Sequence, residues 1–138
     1  MFPPGFYPNG VWALLVLFTF GYLVIYIKYP RFRAVRWWII FGLFYAGNFL
    51  DFYTTWLVVD RFGIEYEQNR AARALMYAGW RSFALGKLVF WPAMATLALL
   101  AIRFLARPAI ALFLGMTTML FVASINNVVV YIRLLARS

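Results

Sequence analysis

Four mostly apolar stretches, each close to the length that crosses a lipid bilayer, dominate this sequence of 138 residues. The hydrocarbon core of a bilayer is about 30 Å thick and a helix rises about 1.5 Å per residue, so about 20 residues span it. The stretches cover about 11–27, 37–59, 84–102 and 109–132, and proline beside basic residues interrupts them at Lys28-Tyr29-Pro30 and Arg107-Pro108. We therefore predict an all-α fold, a four-transmembrane-helix bundle forming one membrane domain over 1–138, with an outer loop at 60–81.

The composition agrees with burial in lipid. Of all residues, 66% are hydrophobic and only 12% are charged, which leaves too little polar surface to cover a water-soluble globule of this size. A signal peptide is an alternative interpretation of the first stretch, but no basic residue precedes it and no small-residue cleavage site follows it. We therefore expect the first stretch to be a membrane helix.

Basic residues in a short loop predict the orientation of a multi-pass protein in the cell membrane. The connection between the first two stretches carries four cations and no acid, namely Lys28, Arg31, Arg33 and Arg36. Because positive loops stay on the cytoplasmic side, we expect this loop inside and both termini outside. Counting all loops, the two sides carry equal numbers of basic residues, so the prediction rests on this tight loop.

The net charge of +9 could indicate a nucleic-acid partner. These cations, however, lie near the ends of the apolar stretches among Tyr29, Phe32, Trp37 and Trp38, a pattern typical of the aromatic and basic belt at a membrane interface. We therefore predict contacts with membrane lipids, including anionic headgroups at the four cations of the first loop, and no nucleic-acid partner.

The chain contains no cysteine and no histidine. Their absence excludes disulfides, thiolate metal sites, histidine-ligated haem and any catalytic triad or dyad that uses either residue. We expect no cofactor and no metal site, with bound lipids as the only accompanying small molecules.

Polar residues inside the predicted helices are candidates for a functional site. Asn48, Asp51 and Thr55 follow one another at i, i+3 and i+7 and share one face of the second helix. A charge at the centre of a membrane helix costs about 2.5–3.5 kcal/mol, so Asp51 needs a partner, and Lys87 in the third helix is the obvious one. In the alternative, Lys87 extends toward water and the carboxyl group is protonated, hydrated or hydrogen-bonded by its polar neighbours.

Two asparagines of the fourth helix, Asn126 and Asn127, are predicted at a similar depth in the outer half of the bilayer. Together with the stripe on the second helix and Lys87, they form either a polar lock that fixes helix packing or a binding site for a proton, an ion or a small polar ligand.

The predicted outer loop adds Glu65, Glu67 and Asn69 above this cluster. These residues are interpreted either as a solvated loop with salt bridges to Arg70 and Arg73, or as ligands of a hard cation such as calcium. No calcium-loop pattern is present, and two carboxylates at i and i+2 are too few for such a site.

The order of these polar residues resembles a family of small prokaryotic membrane proteins of unknown function. Members of that family have a helix with Asn-x-x-Asp-x-x-x-Thr, a Glu-x-Asn-Pro loop and a later lysine, which correspond here to residues 48–55, to Glu67-x-Asn69 and to Lys87. The resemblance covers about residues 40–132 and departs at Arg70, where the family has proline. It implies importance of the same residues but no activity.

Three function classes remain after these exclusions. The leading prediction is a non-enzymatic accessory or structural subunit of a larger membrane complex, with other membrane subunits or further copies of the chain as partners. The alternative is a small ion, proton or solute transporter or channel-like protein that uses Asp51 and Lys87. An enzyme ranks last, because no nucleophile or metal-ligand set accompanies the carboxylates.

Overall fold

A computed structural model of the chain shows six α-helices among the residues that it describes. The structure describes residues 9–29, 31, 36–67, 69–105 and 109–137, with only the backbone of 9 and 102–105. The helices are α1 (Asn9–Lys28), α2 (Trp37–Phe62), α3 (Arg70–Tyr77), α4 (Trp80–Leu85), α5 (Trp91–Leu105) and α6 (Ala109–Leu135). A 3-10 turn, Ile64–Tyr66, precedes α3, and a π-helical segment, Gly86–Phe90, joins α4 to α5. The described residues contain no β-strand.

The long helical segments run alternately up and down. Residues 44, 51 and 62 of α2 meet residues 113, 127 and 131 of α6 in the same order, so these two helices are parallel. The α4–α5 segment runs against α2, since Asn48 reaches Lys87 and Tyr45 reaches Thr96. Helix α6 is central because it packs against α1, α2 and α5.

One end of the bundle is held by a tightly packed aromatic and aliphatic core. We call it the basic end, because it lies beside the connection that carries Lys28, Arg31 and Arg36. Phe113 is fully buried there, with its ring centroid 4.6 Å from that of Phe44. The rest of this core consists of Ile40, Leu99, Ala109 and Ile110. Large side chains therefore close the space between α2, α5 and α6 at this end.

The opposite end carries the segment between α2 and α4, and we call it the loop end. The prediction of one long loop at 60–81 missed the structure within it, because α2 continues to Phe62 and the eight-residue helix α3 follows. A small core of Val59, Met76 and Phe83 joins α3 to α2 and α4. Helix α3 therefore lies against the ends of the long helices.

Three helical stretches are long and apolar enough to cross a membrane: Gly10–Lys28, Trp80–Ala101 and Ala109–Leu135. The second of these combines α4, the π segment and α5. Helix α2, with 26 residues, is equally long but less apolar, because Asn48, Asp51, Thr54 and Thr55 lie on its buried face. The described part of the chain is thus all-helical with three candidate membrane spans, and α2 is the polar member.

Candidate functional site

The candidate site begins where α2 and α6 approach each other closely. A Cβ atom added to Gly47 would lie 3.3 Å from the Cβ of Leu120 and 3.3 Å from the ring of Phe121. One turn further along, the polar stripe of α2 therefore faces α6 at short range. Asn48, Asp51 and Thr55 are each at most 7% exposed, so protein rather than solvent has to satisfy their polar atoms.

An ion pair forms the centre of the site. The Nζ atom of Lys87 lies 2.5 Å from Oδ2 of Asp51, and the two side chains are 24% and 9% exposed. On the other carboxylate oxygen, the amide of Asn127 lies 3.4 Å from Oδ1. The same amide lies 3.0 Å from the hydroxyl of Thr55 and 3.2 Å from that of Thr54. Three long helical segments are thus connected through one buried carboxylate.

The π-helical segment explains why the backbone carbonyl of Lys87 is free to accept a side-chain hydrogen bond. Pro92 lacks the N–H that would bond to the carbonyl four residues earlier, and its ring crowds that carbonyl, so the preceding turn departs from α-helical geometry. The widened turn makes the carbonyl of Lys87 available to the side chain of Asn48, which donates to it at 2.5 Å. Gly86 gives room for Leu75 of α3, whose Cδ1 would be 2.9 Å from an added Cβ.

The loop end places a second carboxylate above the ion pair. Gly63 ends α2 with φ of 112°, a conformation that glycine adopts readily and that turns the chain back over the bundle. Asn69 then caps α3, since its side-chain oxygen accepts hydrogen bonds from the N–H groups of Ala71 and Ala72 at 3.0 and 3.4 Å. Its own N–H donates to Oε1 of Glu67 at 2.7 Å, which holds that carboxylate in place.

A small polar pocket of about 90 Å³ lies between the ion pair and this turn. Asp51, Lys87 and Glu67 all line it. Its other polar lining comes from Thr55, Tyr66, Asn69, Asn126 and Asn127. We call this cavity the polar pocket. Burial raises the pKa of Glu67 above its ordinary value, although the hydrogen bond from Asn69 and the charge of Lys87 oppose the shift.

Most of the residues predicted from sequence meet at this pocket. Of the six candidates within the predicted helices, five line the pocket, and Asn48 lies beside it, bonded to the backbone of Lys87. Of the loop candidates, Glu67 and Asn69 line it, whereas Glu65 is exposed and does not. Glu65 and Glu67 make no salt bridge to Arg70 or Arg73, all four of which the structure describes.

The predicted headgroup cations lie at the other end of the bundle. Lys28, Arg31 and Arg36 are exposed at the basic end, and Arg33 lies outside the described residues. They form no part of the polar pocket.

Three site features were not predicted: Tyr66, Thr54 and the backbone carbonyl of Lys87. Thr54 follows Asp51 by three residues and could have been found by the same helical spacing. The carbonyl could have been anticipated from Pro92, because a proline inside a helix disturbs the preceding turn. Tyr66 had no such signal, since its position depends on how the 3-10 turn folds over the bundle.

Within the described residues, no group of three or more acidic, cysteine or histidine side chains could hold a metal ion. The functional groups that line the polar pocket are carboxylate, ammonium, amide and hydroxyl groups. Comparisons of the chain with protein families, with curated proteins and with solved structures find no match.

Proposed function

We propose that this chain is a small polytopic membrane protein that binds a proton or a small cationic solute in the polar pocket, as a transporter or channel-like protein. The observation that carries the proposal is the convergence of Asp51, Glu67 and Lys87 on one pocket. Two carboxylates face one ammonium group, so the pocket has a surplus negative charge when both acids are ionised. A proton or a monovalent cation neutralises that surplus.

Four membrane spans are part of this proposal. The polar stripe of α2 is buried against α6 and the α4–α5 segment, while the lipid side of α2 presents Phe49, Leu50 and Tyr53. A helix with this distribution can cross a bilayer, because its polar groups are satisfied inside the protein. The basic connection at 28–36 then favours the cytoplasm for the basic end and the outside for the polar pocket.

In the proposed function, the core at the basic end determines from which side a solute reaches the polar pocket. Phe113 and its neighbours close the space between α2, α5 and α6 at the basic end, so in this proposal the solute enters the polar pocket from the loop end. Separation of Asp51 from Lys87 is the change that would extend the pocket toward the other side. A solute that neutralises either charge would favour that separation, because it weakens the attraction between them.

The accessory-subunit interpretation remains a second proposal, favoured by the position of α1. Trp12, Val16, Leu17 and Phe20 are each more than 60% exposed, and α1 packs mainly against α6. Lipid can cover this face, but so can a helix of another subunit or of a second copy. Mild-detergent purification with mass spectrometry tests it, because stoichiometric co-purification of other membrane subunits is expected only for an accessory subunit.

The experiment for the binding proposal uses purified protein in liposomes that contain a pH-sensitive dye. If the solute is a proton, we expect the wild-type protein to dissipate an imposed proton gradient. If it is a small cation, we expect the purified protein to unfold at a higher temperature in Na⁺, K⁺ or methylammonium than in a large inert cation. Asp51→Asn and Glu67→Gln should each abolish the response. Asp60→Asn should retain it, because Asp60 is an exposed acid on the same helix as Asp51.

The proposal fails if wild-type protein shows neither proton flux nor stabilisation by any of these cations. It also fails if Asp51→Asn behaves like Asp60→Asn, since the response would then not depend on the pocket. Circular dichroism of each variant shows that a lost response is not lost folding.

A further inference from the structure

A second and larger cavity lies beside the polar pocket, and its lining is mostly apolar. This apolar cleft has a volume of about 510 Å³, within the range of about 300–1,000 Å³ that is common for ligand sites. Helix α1 contributes Val11 and Leu15, α5 contributes Trp91 and Ala95, and α6 contributes Met116 and Met119. Such a lining fits a hydrocarbon chain better than a polar solute.

The cleft lies between two helices that both pack on α6 but make little contact with each other, α1 and α5. Its lining includes residues with large exposed surfaces, among them Trp91 on α5 and Ala71 on α3, so it opens to the outside of the bundle. Protein interiors are close-packed, and an apolar space is poorly suited to ordered water. Three of the helical stretches around the cleft are apolar and long enough to cross a membrane, where lipid is the most abundant molecule that could fill the cleft.

One wall of the cleft is polar. Asp51 and Lys87 line the cleft as well as the polar pocket. An ammonium group has three N–H donors, and within the described residues Asp51 is the partner of Lys87, so donors remain for an oxygen in the cleft. Arg70, the exposed first residue of α3, does not line the cleft but adjoins Ala71, which does, and the first turn of α3 has no acid. A cation at this position favours an anionic headgroup.

We infer that the apolar cleft holds one acyl chain of an anionic phospholipid, with ester oxygens toward Lys87 and the headgroup beside Arg70. The inference requires that the chain lies in a bilayer, but it does not depend on which solute enters the polar pocket. A bound lipid would place its polar part against the ion pair and so connect the membrane to the site.

The test is native mass spectrometry of protein released from vesicles of equal parts phosphatidylglycerol and phosphatidylcholine. We expect one phosphatidylglycerol per protein. Ala95→Phe should lower this retention at least about tenfold, because the ring occupies the chain's space. Ala98→Phe is the matched control, since Ala98 is exposed one turn along the same helix and does not line the cleft.

A second pair of variants covers the case in which Ala95→Phe does not fold. Ala71→Phe narrows the rim of the cleft, whereas Ala74→Phe adds the same ring to an exposed position of α3 that does not line the cleft. Only the first should lower lipid retention. Arg70→Gln should reduce the preference for phosphatidylglycerol over phosphatidylcholine.

Several results would overturn the inference: no lipid on the wild-type protein, equal retention of the two lipids, or equal retention by the variants of each pair. Added palmitate that binds while phospholipid does not would assign the cleft to a free fatty acid. A lipid-free dimer would assign it to a second copy of the chain.

Discussion

The two ends of the α2–α6 pair are packed in opposite ways. At the basic end, the rings of Phe44 and Phe113 fill the interface and are at most 5% exposed. At the loop end, Asp51, Thr55 and Asn127 face one another and leave the polar pocket open above them. The same two helices therefore provide a closed apolar contact at one end and a charged, accessible one at the other.

This difference suggests that the basic end contributes mainly to stability and the polar pocket mainly to function. In a bilayer, lipid tails would be as apolar as the basic-end core, so under the proposed membrane location close packing rather than exclusion of water holds this core. Hydrogen bonds between membrane helices average only about 0.6 kcal/mol, so the polar end contributes geometry more than stability. Replacing either Asp51 or Lys87 should nevertheless lower the free energy of unfolding, because the remaining charge would lose its partner.

The largest effect is expected from removing one member of the ion pair. Lys87→Met leaves the carboxylate of Asp51, 9% exposed, without its cation, and breaking a buried pair on one side costs about 3–5 kcal/mol. Because Lys87 is partly exposed, we expect a loss of about 3 kcal/mol or slightly less. Unfolding by SDS in mixed micelles measures it.

The double variant Lys87→Met/Asp51→Asn sharpens this prediction. It removes both charges, so most of the lost stability should return. Lys28→Met is the control, since Lys28 is exposed at the basic end. If the double variant is as unstable as Lys87→Met alone, the effect comes from packing of the lysine stem and not from the stranded carboxylate.

A smaller effect is expected from opening the basic-end core. Phe113→Ala would leave a cavity of roughly 100 Å³, and at about 24 cal/mol per Å³ this costs about 2 kcal/mol. The response of the polar pocket to protons or cations should be unchanged, because Phe113 does not line it. Phe49→Ala is the control on the outer surface of α2, where Phe49 is 55% exposed. A loss of the pocket's response in Phe113→Ala would show that the two ends are coupled.

The polar face of α2 and the limits of the long helices could largely be predicted from the sequence, because helical spacing is a local property. Asn48, Asp51 and Thr55 recur at i, i+3 and i+7, so a shared face follows once the stretch is helical. The choice of Lys87 as partner followed from the cost of an unpaired charge in lipid. The predicted helices at 11–27, 37–59 and 109–132 lie within α1, α2 and α6, which extend by one to three residues beyond most of those limits.

The parts that could not be predicted depend on contacts between segments distant in sequence. The polar composition of 60–81 concealed α3, although Asn69 before Arg70-Ala71-Ala72 is a recognisable helix cap. The position of Glu67 over the ion pair depends on the turn at Gly63. The apolar cleft depends on the separation of α1 from α5, which no single stretch of sequence encodes.

The smallest predicted effect concerns Glu67 and the pH dependence of stability. Burial raises the pKa of Glu67, with Asp51 adding to the shift and Lys87 and Arg73 opposing it. The folded protein therefore keeps the proton to a higher pH than the unfolded chain, whose carboxyl group titrates near 4.5. Between these two pKa values the folded state binds more protons, so stability should fall as pH rises through this window and become level above it.

The variant Glu67→Gln isolates this contribution, since its amide oxygen can still accept the hydrogen bond from the N–H of Asn69. The wild-type protein should lose stability relative to Glu67→Gln as pH rises above the unfolded-chain value of 4.5, until Glu67 is ionised in the folded protein as well, as measured by thermal unfolding in detergent. Glu65→Gln, two residues away and exposed, should follow the wild-type curve. Parallel curves for wild type and Glu67→Gln would mean that Glu67 is as well solvated in the folded protein as in the unfolded chain. A carboxylate solvated in this way would attract a proton or a cation in the polar pocket only weakly, which would count against Glu67 as a second binding group.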